Sequence, residues 1–90
     1  MNVKLDPDLF AKLKKVDIRI RKSFKEKIAI FATNPHDPQL NNHALRKPYK
    51  GLHSIDITPD WRAVYEEKQE GDDQIAYFVL LGTHKELYGS

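Results

Sequence analysis

Apolar and polar positions follow two different periods along the chain, and the change of period divides it. Asn2 to Leu5 is a short candidate strand. Asp6-Pro7 then supplies an N-cap and a proline at the first helical position, which starts a helix running through about Val16. Leu9, Phe10, Leu13 and Val16 fall on one side of it. Around Asp17 the helix either breaks and recaps or continues. Beyond it Ile20, Phe24, Ile28 and Phe31 recur at intervals of four, four and three residues, which predicts an amphipathic helix ending near Thr33-Asn34-Pro35.

The next stretch, NPHDPQLNNHALRKPYKG, holds three prolines and three asparagines and reads as a loop with at most one short helical turn near Leu40 to Leu45. LHSIDI then alternates as a strand. Thr58-Pro59-Asp60 makes a tight connection, and WRAVYEEK alternates again as an antiparallel neighbour. A second turn falls at Glu70 to Asp73. Gln74 to Leu81 is the most hydrophobic strand, expected inside the sheet and ended by Gly82, with THKELYGS left as a helical turn or ordered arm. Strand, helix, helix and a three-stranded meander predict an α+β two-layer domain over residues 1–90, its N-terminal strand and two helices on one face of a curved, mainly antiparallel sheet. The other face is expected to be free, and an uncovered curved face is a natural binding surface.

Ninety residues allow one compact domain, and 40% hydrophobic with 31% charged residues is the balance of a soluble globular chain. The absence of cysteine excludes disulfides, thiolate zinc sites and a cysteine nucleophile, and favours an intracellular setting. MNVKLDPDLF does not resemble a signal peptide, and no stretch approaches the ~20 apolar residues of a membrane helix. Net charge is +2, with Lys12, Lys14, Lys15, Arg19, Arg21, Lys22, Lys25 and Lys27 crowded into the first third. That asymmetry suits RNA or an acidic protein partner; a solvated helix face is the plainer reading.

Candidate chemistry collects in the second half, at His43, at Asp60-Trp61-Arg62, and at His84 with Tyr88. Cutting RNA without metal needs a base for the 2′-OH proton, an acid for the leaving 5′ oxygen, and cations for the phosphate. Imidazole suits either proton role, since its ordinary pKa of ~6.5 lies near working pH. Each residue also has a plainer role: His43 as a loop histidine bonded to backbone, Asp60 as a turn cap, Trp61 as a half-buried anchor, His84 as a cap of the last turn, Tyr88 as a seal on the core. His36, His43, His53 and His84 lack metal-ligand spacing, and there is no P-loop, dinucleotide fingerprint or nucleophile elbow.

The residues NNHALRKPYKGLHSIDITPDWRAVYE and IAYFVLLGTHKELYG resemble the YafQ branch of the RelE/ParE toxin superfamily. The specific parts are His43-x-Leu45, Lys50-Gly51, Pro59-Asp60-Trp61, Tyr65, and Gly82-Thr83-His84 with Tyr88; the first half matches only in style. The resemblance implies a cytoplasmic, ribosome-dependent messenger RNA interferase. It would need no cofactor or metal and would leave a 2′,3′-cyclic phosphate and a 5′-OH. It places His43, Asp60 and His84 at family positions for proton transfer and orientation, and Tyr88 at that of the C-terminal aromatic. Arg46, Lys47, Lys50 and Arg62 are added from charge and position as phosphate contacts, and Trp61 as an RNA contact beside Asp60.

Two residues depart from the YafQ pattern. Asp56 stands where it has a histidine, and Leu80 where it has an arginine. Losing a cation for the transition-state phosphate can cost ~10²-fold in rate, so Arg46, Lys50 or Arg62 would have to compensate. Asp56 is open to three roles: base, orienter of a histidine, or plain strand residue. The family also implies a cognate antitoxin that covers the active face, with DNA reached only through that antitoxin and no membrane contact. Two other readings compete: a ParE-like gyrase inhibitor, which would not need the histidines, and a catalytically weakened member kept as an antitoxin-binding partner, to which Leu80 points.

Overall fold

The computed structural model describes residues 1–89. It contains β1 (Asn2–Leu5), α1 (Pro7–Lys15), α2 (Ile18–Thr33), a 3₁₀ turn at Pro38–Leu40, β2 (His43–Ala44), β3 (His53–Asp56), β4 (Trp61–Glu70), β5 (Asp73–Thr83) and α3 (His84–Tyr88). Ser90, the last residue of the expected arm, lies outside the described residues. The five strands form one sheet in the order β1-β5-β4-β3-β2.

Local chemistry explains where the first elements begin and end. The Asp6 backbone N–H donates to the Phe78 carbonyl at 2.8 Å, closing the parallel pairing of β1 with β5. Its side chain then accepts from the N–H groups of Asp8 and Leu9, so α1 starts at once. Val16 leaves the helical region and Asp17 accepts from the Arg19 N–H at 2.8 Å: of the two alternatives at this point, the chain breaks and recaps. The expected turn near Leu40 to Leu45 is instead the 3₁₀ turn at Pro38–Leu40 followed by β2, because Pro38 fits a first helical position and Asn41 ends the turn in the left-handed region (φ 46°). Nor does Gly82 end the last strand. It stays paired with Arg62, and β5 runs on to Thr83.

Both helices lie on one sheet face. Leu9, Phe24 and Phe31 pack against Ile55, Ala63, Tyr65, Ala76, Phe78 and Leu81. Phe31 is fully buried and meets Tyr65 and Phe78 edge to face, at centroid distances of 4.9 and 5.3 Å. Burying a side chain of this size stabilises by ~1.5–3 kcal/mol, so these few aromatics carry much of a small domain's stability. One irregularity interrupts the antiparallel β4–β5 pairing: Val64 faces Leu80 and Tyr65 faces Phe78, so Val79 is an extra residue without a partner on β4.

The second sheet face is not left free as expected. His43, Ser54, Val64 and Leu80 stand opposite one another across four strands and share this face, with Asp56, Arg62 and Gly82 in the next row. α3 folds back over it. Leu87 lies where a Cβ on Gly82 would come within 3.3 Å, so glycine is what lets the helix approach. Among the described residues no helix is long and apolar enough to cross a membrane.

Candidate functional site

The site is built around β2, the shortest strand. Asn42 fixes it by donating from Nδ2 to the Pro35 carbonyl at 2.9 Å and to the Tyr65 hydroxyl at 2.8 Å. Burial pushes the Tyr65 phenol up from its ordinary value, against the opposing effect of the Asn42 bond. The core thus holds a neutral hydroxyl that anchors the loop. The next residue, His43, is exposed and places Nδ1 2.8 Å from the Asn41 carbonyl. A carbonyl only accepts, so that bond requires the proton on Nδ1 and leaves the Nε2 lone pair as a proton acceptor.

From His43 the arrangement continues through contacts. Ser54, fully buried, stands directly opposite it on β3. The Tyr88 hydroxyl donates to Ser54 Oγ at 3.0 Å, and the Tyr88 ring meets the His84 ring at 4.7 Å and 69°. The His84 backbone N–H donates to the Asp60 carbonyl at 2.8 Å, which ties the β3–β4 turn to the start of α3. His43, Tyr88 and His84 therefore lie on or over the same face, and Asp60 joins them through its backbone. Asp60 itself is exposed. The turn it sits in is held by the Thr58 hydroxyl, which accepts from the Asp60 and Trp61 N–H groups, so Asp60 is not the residue that caps it.

Three residues expected at the site have other positions. Trp61 belongs to the helix-side face, where it packs on the core with Lys12 Nζ 5.8 Å from its ring centroid. Arg62 was expected to bind phosphate, yet its guanidinium is turned inward. Nη1 donates to the carbonyls of Thr58, Pro59 and Trp61 at 3.0, 3.0 and 3.2 Å, and Nε lies 3.0 Å from Asp56 Oδ1. The Asp56 oxygen is buried and the contact is not a well-directed hydrogen bond, so this is a charge pair rather than a fork. With the Arg62 side chain only 16% exposed, the cation plugs the turn instead of facing solvent. Asp56, open to three roles in the sequence, is here the counter-ion of that plug.

The remaining cations lie beside a cleft of about 470 Å³ between the 45–49 loop and α3. Arg46, Lys47 and Tyr49 line one side, Leu87 and Tyr88 the other. Lys50 is exposed on the turn closed by the Leu52 N–H to the Tyr49 carbonyl. Two residues of this region went unnoticed in the sequence. Tyr49, an aromatic inside a turn-rich loop, donates its hydroxyl to the Leu87 carbonyl at 2.8 Å. Ser54 was detectable only as the polar member of an alternating strand. Among the described residues no three His, Asp or Glu groups cluster as a metal site.

The sequence matches no family model and no curated protein. The fold does match solved structures. YafQ from E. coli strain BL21(DE3) superposes with a TM-score of 0.76 at 20% identity, covering 98% of each chain. A YoeB/ParE toxin from Agrobacterium tumefaciens gives 0.74 at 18%, covering 93% of this chain and 99% of the other. A chain of the E. coli DinJ–YafQ toxin-antitoxin complex gives 0.62 at 22%, covering 98% and 97%. All three share the mixed five-stranded sheet and paired helices at nearly full length on both sides. In fold, therefore, the chain is similar to the YafQ and YoeB/ParE toxins over nearly its whole length.

Proposed function

We propose that the chain is the toxin of a type II toxin-antitoxin pair and cuts messenger RNA on the ribosome by internal attack of the 2′-OH. The observation that carries this reading is the pair of imidazoles on one face, linked through Ser54 and Tyr88, with His43 held in the tautomer that leaves Nε2 free to accept a proton. In this scheme His43 Nε2 takes the 2′-OH proton as that oxygen bonds to phosphorus. The phosphorus–O5′ bond breaks, and protonated His84 donates to the departing 5′ oxygen, leaving a 2′,3′-cyclic phosphate and a 5′-OH. Asp60 orients the His84 end of the site, and Tyr88 holds that imidazole by edge-to-face contact. Arg46, Lys47 and Lys50 supply the positive charge that stabilises the phosphate.

The partner of such a toxin is an antitoxin that covers this face, as the DinJ–YafQ assembly of a similar fold suggests. In this reading the site is cytoplasmic, and DNA is contacted only through the antitoxin. A reconstituted translation reaction with purified protein tests the proposal. Expected are cuts in translated message bearing 5′-OH and cyclic phosphate ends, absent without ribosomes and abolished by His84→Ala. Intact message at high concentrations of folded protein would refute it.

A slower, weakened enzyme is favoured by one observation: Leu80 holds the arginine's position, and Arg62, in the next row of the same sheet face, is engaged internally. A supercoiling assay separates the gyrase reading, in which His84→Ala would leave toxicity intact.

A further inference from the structure

His43 is exposed, and exposure alone gives an imidazole no reason to carry its proton on Nδ1. The neutral ring in water prefers its proton on Nε2, and a hydrogen bond made by the other nitrogen is what reverses that choice. Here the bond runs from Nδ1 to the Asn41 carbonyl, two residues back, at 2.8 Å. One residue, Asn42, stands between donor and acceptor. Its backbone therefore decides whether the carbonyl meets the ring.

A single nitrogen holds Asn42 from two sides. Nδ2 carries two hydrogens and has two acceptors, the Pro35 carbonyl at 2.9 Å and the Tyr65 hydroxyl at 2.8 Å. Aspartate at this position would have no donor, and serine only one. The Tyr65 ring is itself immobilised: Phe31 and Phe78 lie at 4.9 and 5.1 Å, and the His53 ring stacks on it at 5.2 Å and 21°. His53, which the proposed reaction does not use, faces Tyr65 in the pairing of β3 with β4. Asn41 adds a left-handed backbone (φ 46°), which asparagine tolerates better than most residues. Core packing thus reaches the loop through one amide group.

We propose that Asn42, clamped to the core by the Tyr65 hydroxyl, is a positioning residue that keeps the His43 proton on Nδ1 and so makes Nε2 the base, a role that rests on the RNA-cleaving reading. Tyr65 is buried in the helix-side core, so it acts without touching RNA. Tyr65→Phe keeps the ring and its aromatic contacts but weakens the acceptor for one Nδ2 hydrogen, which frees the amide to turn. The Asn41 carbonyl then drifts from the imidazole, and the proton returns to the nitrogen that must accept one. A clamp that served folding alone would cost stability without moving that proton.

The test uses the full chain with ¹⁵N-labelled histidine at about pH 8, where the imidazoles are neutral and their nitrogen shifts report the tautomer. Signals of the four histidines are assigned against His43→Gln. Expected is Nδ1–H at His43 in the wild type and a shift toward Nε2–H in both Tyr65→Phe and Asn42→Asp. In reconstituted translation, kcat for message cleavage should fall about ten-fold in either variant with KM unchanged, and the double variant should be no slower than Asn42→Asp. A His43 ring that keeps Nδ1–H in either variant, or that lacks it in the wild type, would overturn the clamp. Tautomers that move as expected in a protein that cuts no message would keep the clamp and sink the nuclease. Wild-type cleavage with tautomers unmoved by the substitutions would do the reverse.

Discussion

The hydroxyl of Tyr88 donates to Oγ of Ser54 at 3.0 Å, joining residues 34 positions apart and pinning the last helix to the sheet. Ser54 is fully buried, so this bond is what makes its polar side chain tolerable there. Tyr88→Phe should lower stability by about 1–3 kcal/mol by leaving the serine without that donor. Adding Ser54→Ala should restore part of the loss, because both polar groups are then gone. A double-mutant cycle by urea unfolding measures the coupling, and strict additivity would show the two hydroxyls to be independent.

Arg62, expected from the sequence as a phosphate contact, has a different role in the fold. Plugging the turn between β3 and β4 makes it a folding residue. Arg62→Met should therefore cost about 1–3 kcal/mol in unfolding free energy, since three carbonyls and the Asp56 charge lose their partner. A phosphate ligand would behave in the opposite way, with unchanged stability and weakened RNA binding at low salt. Denaturation curves and RNA affinity measured on the same variant decide between them.

Acid should loosen α3 before it unfolds the domain. The Glu86 carboxyl is held below its ordinary 4.5, chiefly by the Thr83 N–H; desolvation opposes this, and the Lys12 charge lowers it further. A depressed carboxyl stabilises the folded form fully above its ordinary pKa and loses that contribution as pH falls through the depressed value. The Thr83 amide should thus lose hydrogen-exchange protection below pH 4.5, ahead of the core amides. Glu86→Gln should remove that pH dependence, and an unchanged profile in the variant would discount the capping carboxylate.

Phe31 should be the costliest single truncation. It has no exposed surface and contacts Tyr65 and Phe78 with its edge or face. Phe31→Ala should remove about 3–5 kcal/mol, a large share of what a domain of this size has, and calorimetry should show a collapsed or absent transition.

The elements were legible because local signals mark them. Asp6-Pro7 and Asp17 name two helix starts, and the four-residue recurrence to Phe31 names the buried stripe. Pairing was less legible. Nothing in Asn2–Leu5 says that it runs parallel to β5, since a short strand's direction is set by where the helices return the chain. At the site, His43, His84 and Tyr88 could be named in advance because reactive side chains at strand and helix ends are conspicuous. Arg62 was expected at phosphate and is engaged internally instead, because a guanidinium looks the same in sequence whether carbonyls or solvent receive it. Tyr49 and Ser54 were invisible for a related reason: each acts through a partner more than thirty positions away.

Val79 has a consequence out of proportion to its size. Phe78 and Leu80 sit two apart, a spacing that in an unbroken strand sends both the same way, yet one enters the aromatic core and the other looks toward the histidines. A single inserted valine turns the final segment over like a half-twist in a ribbon. Deleting it would leave hydropathy and charge nearly untouched and would make Phe78 and Leu80 adjacent, so plain alternation would keep each on its present face and in its present register with β4; what a one-codon loss would take away is the local kink and added twist that the extra residue gives the sheet.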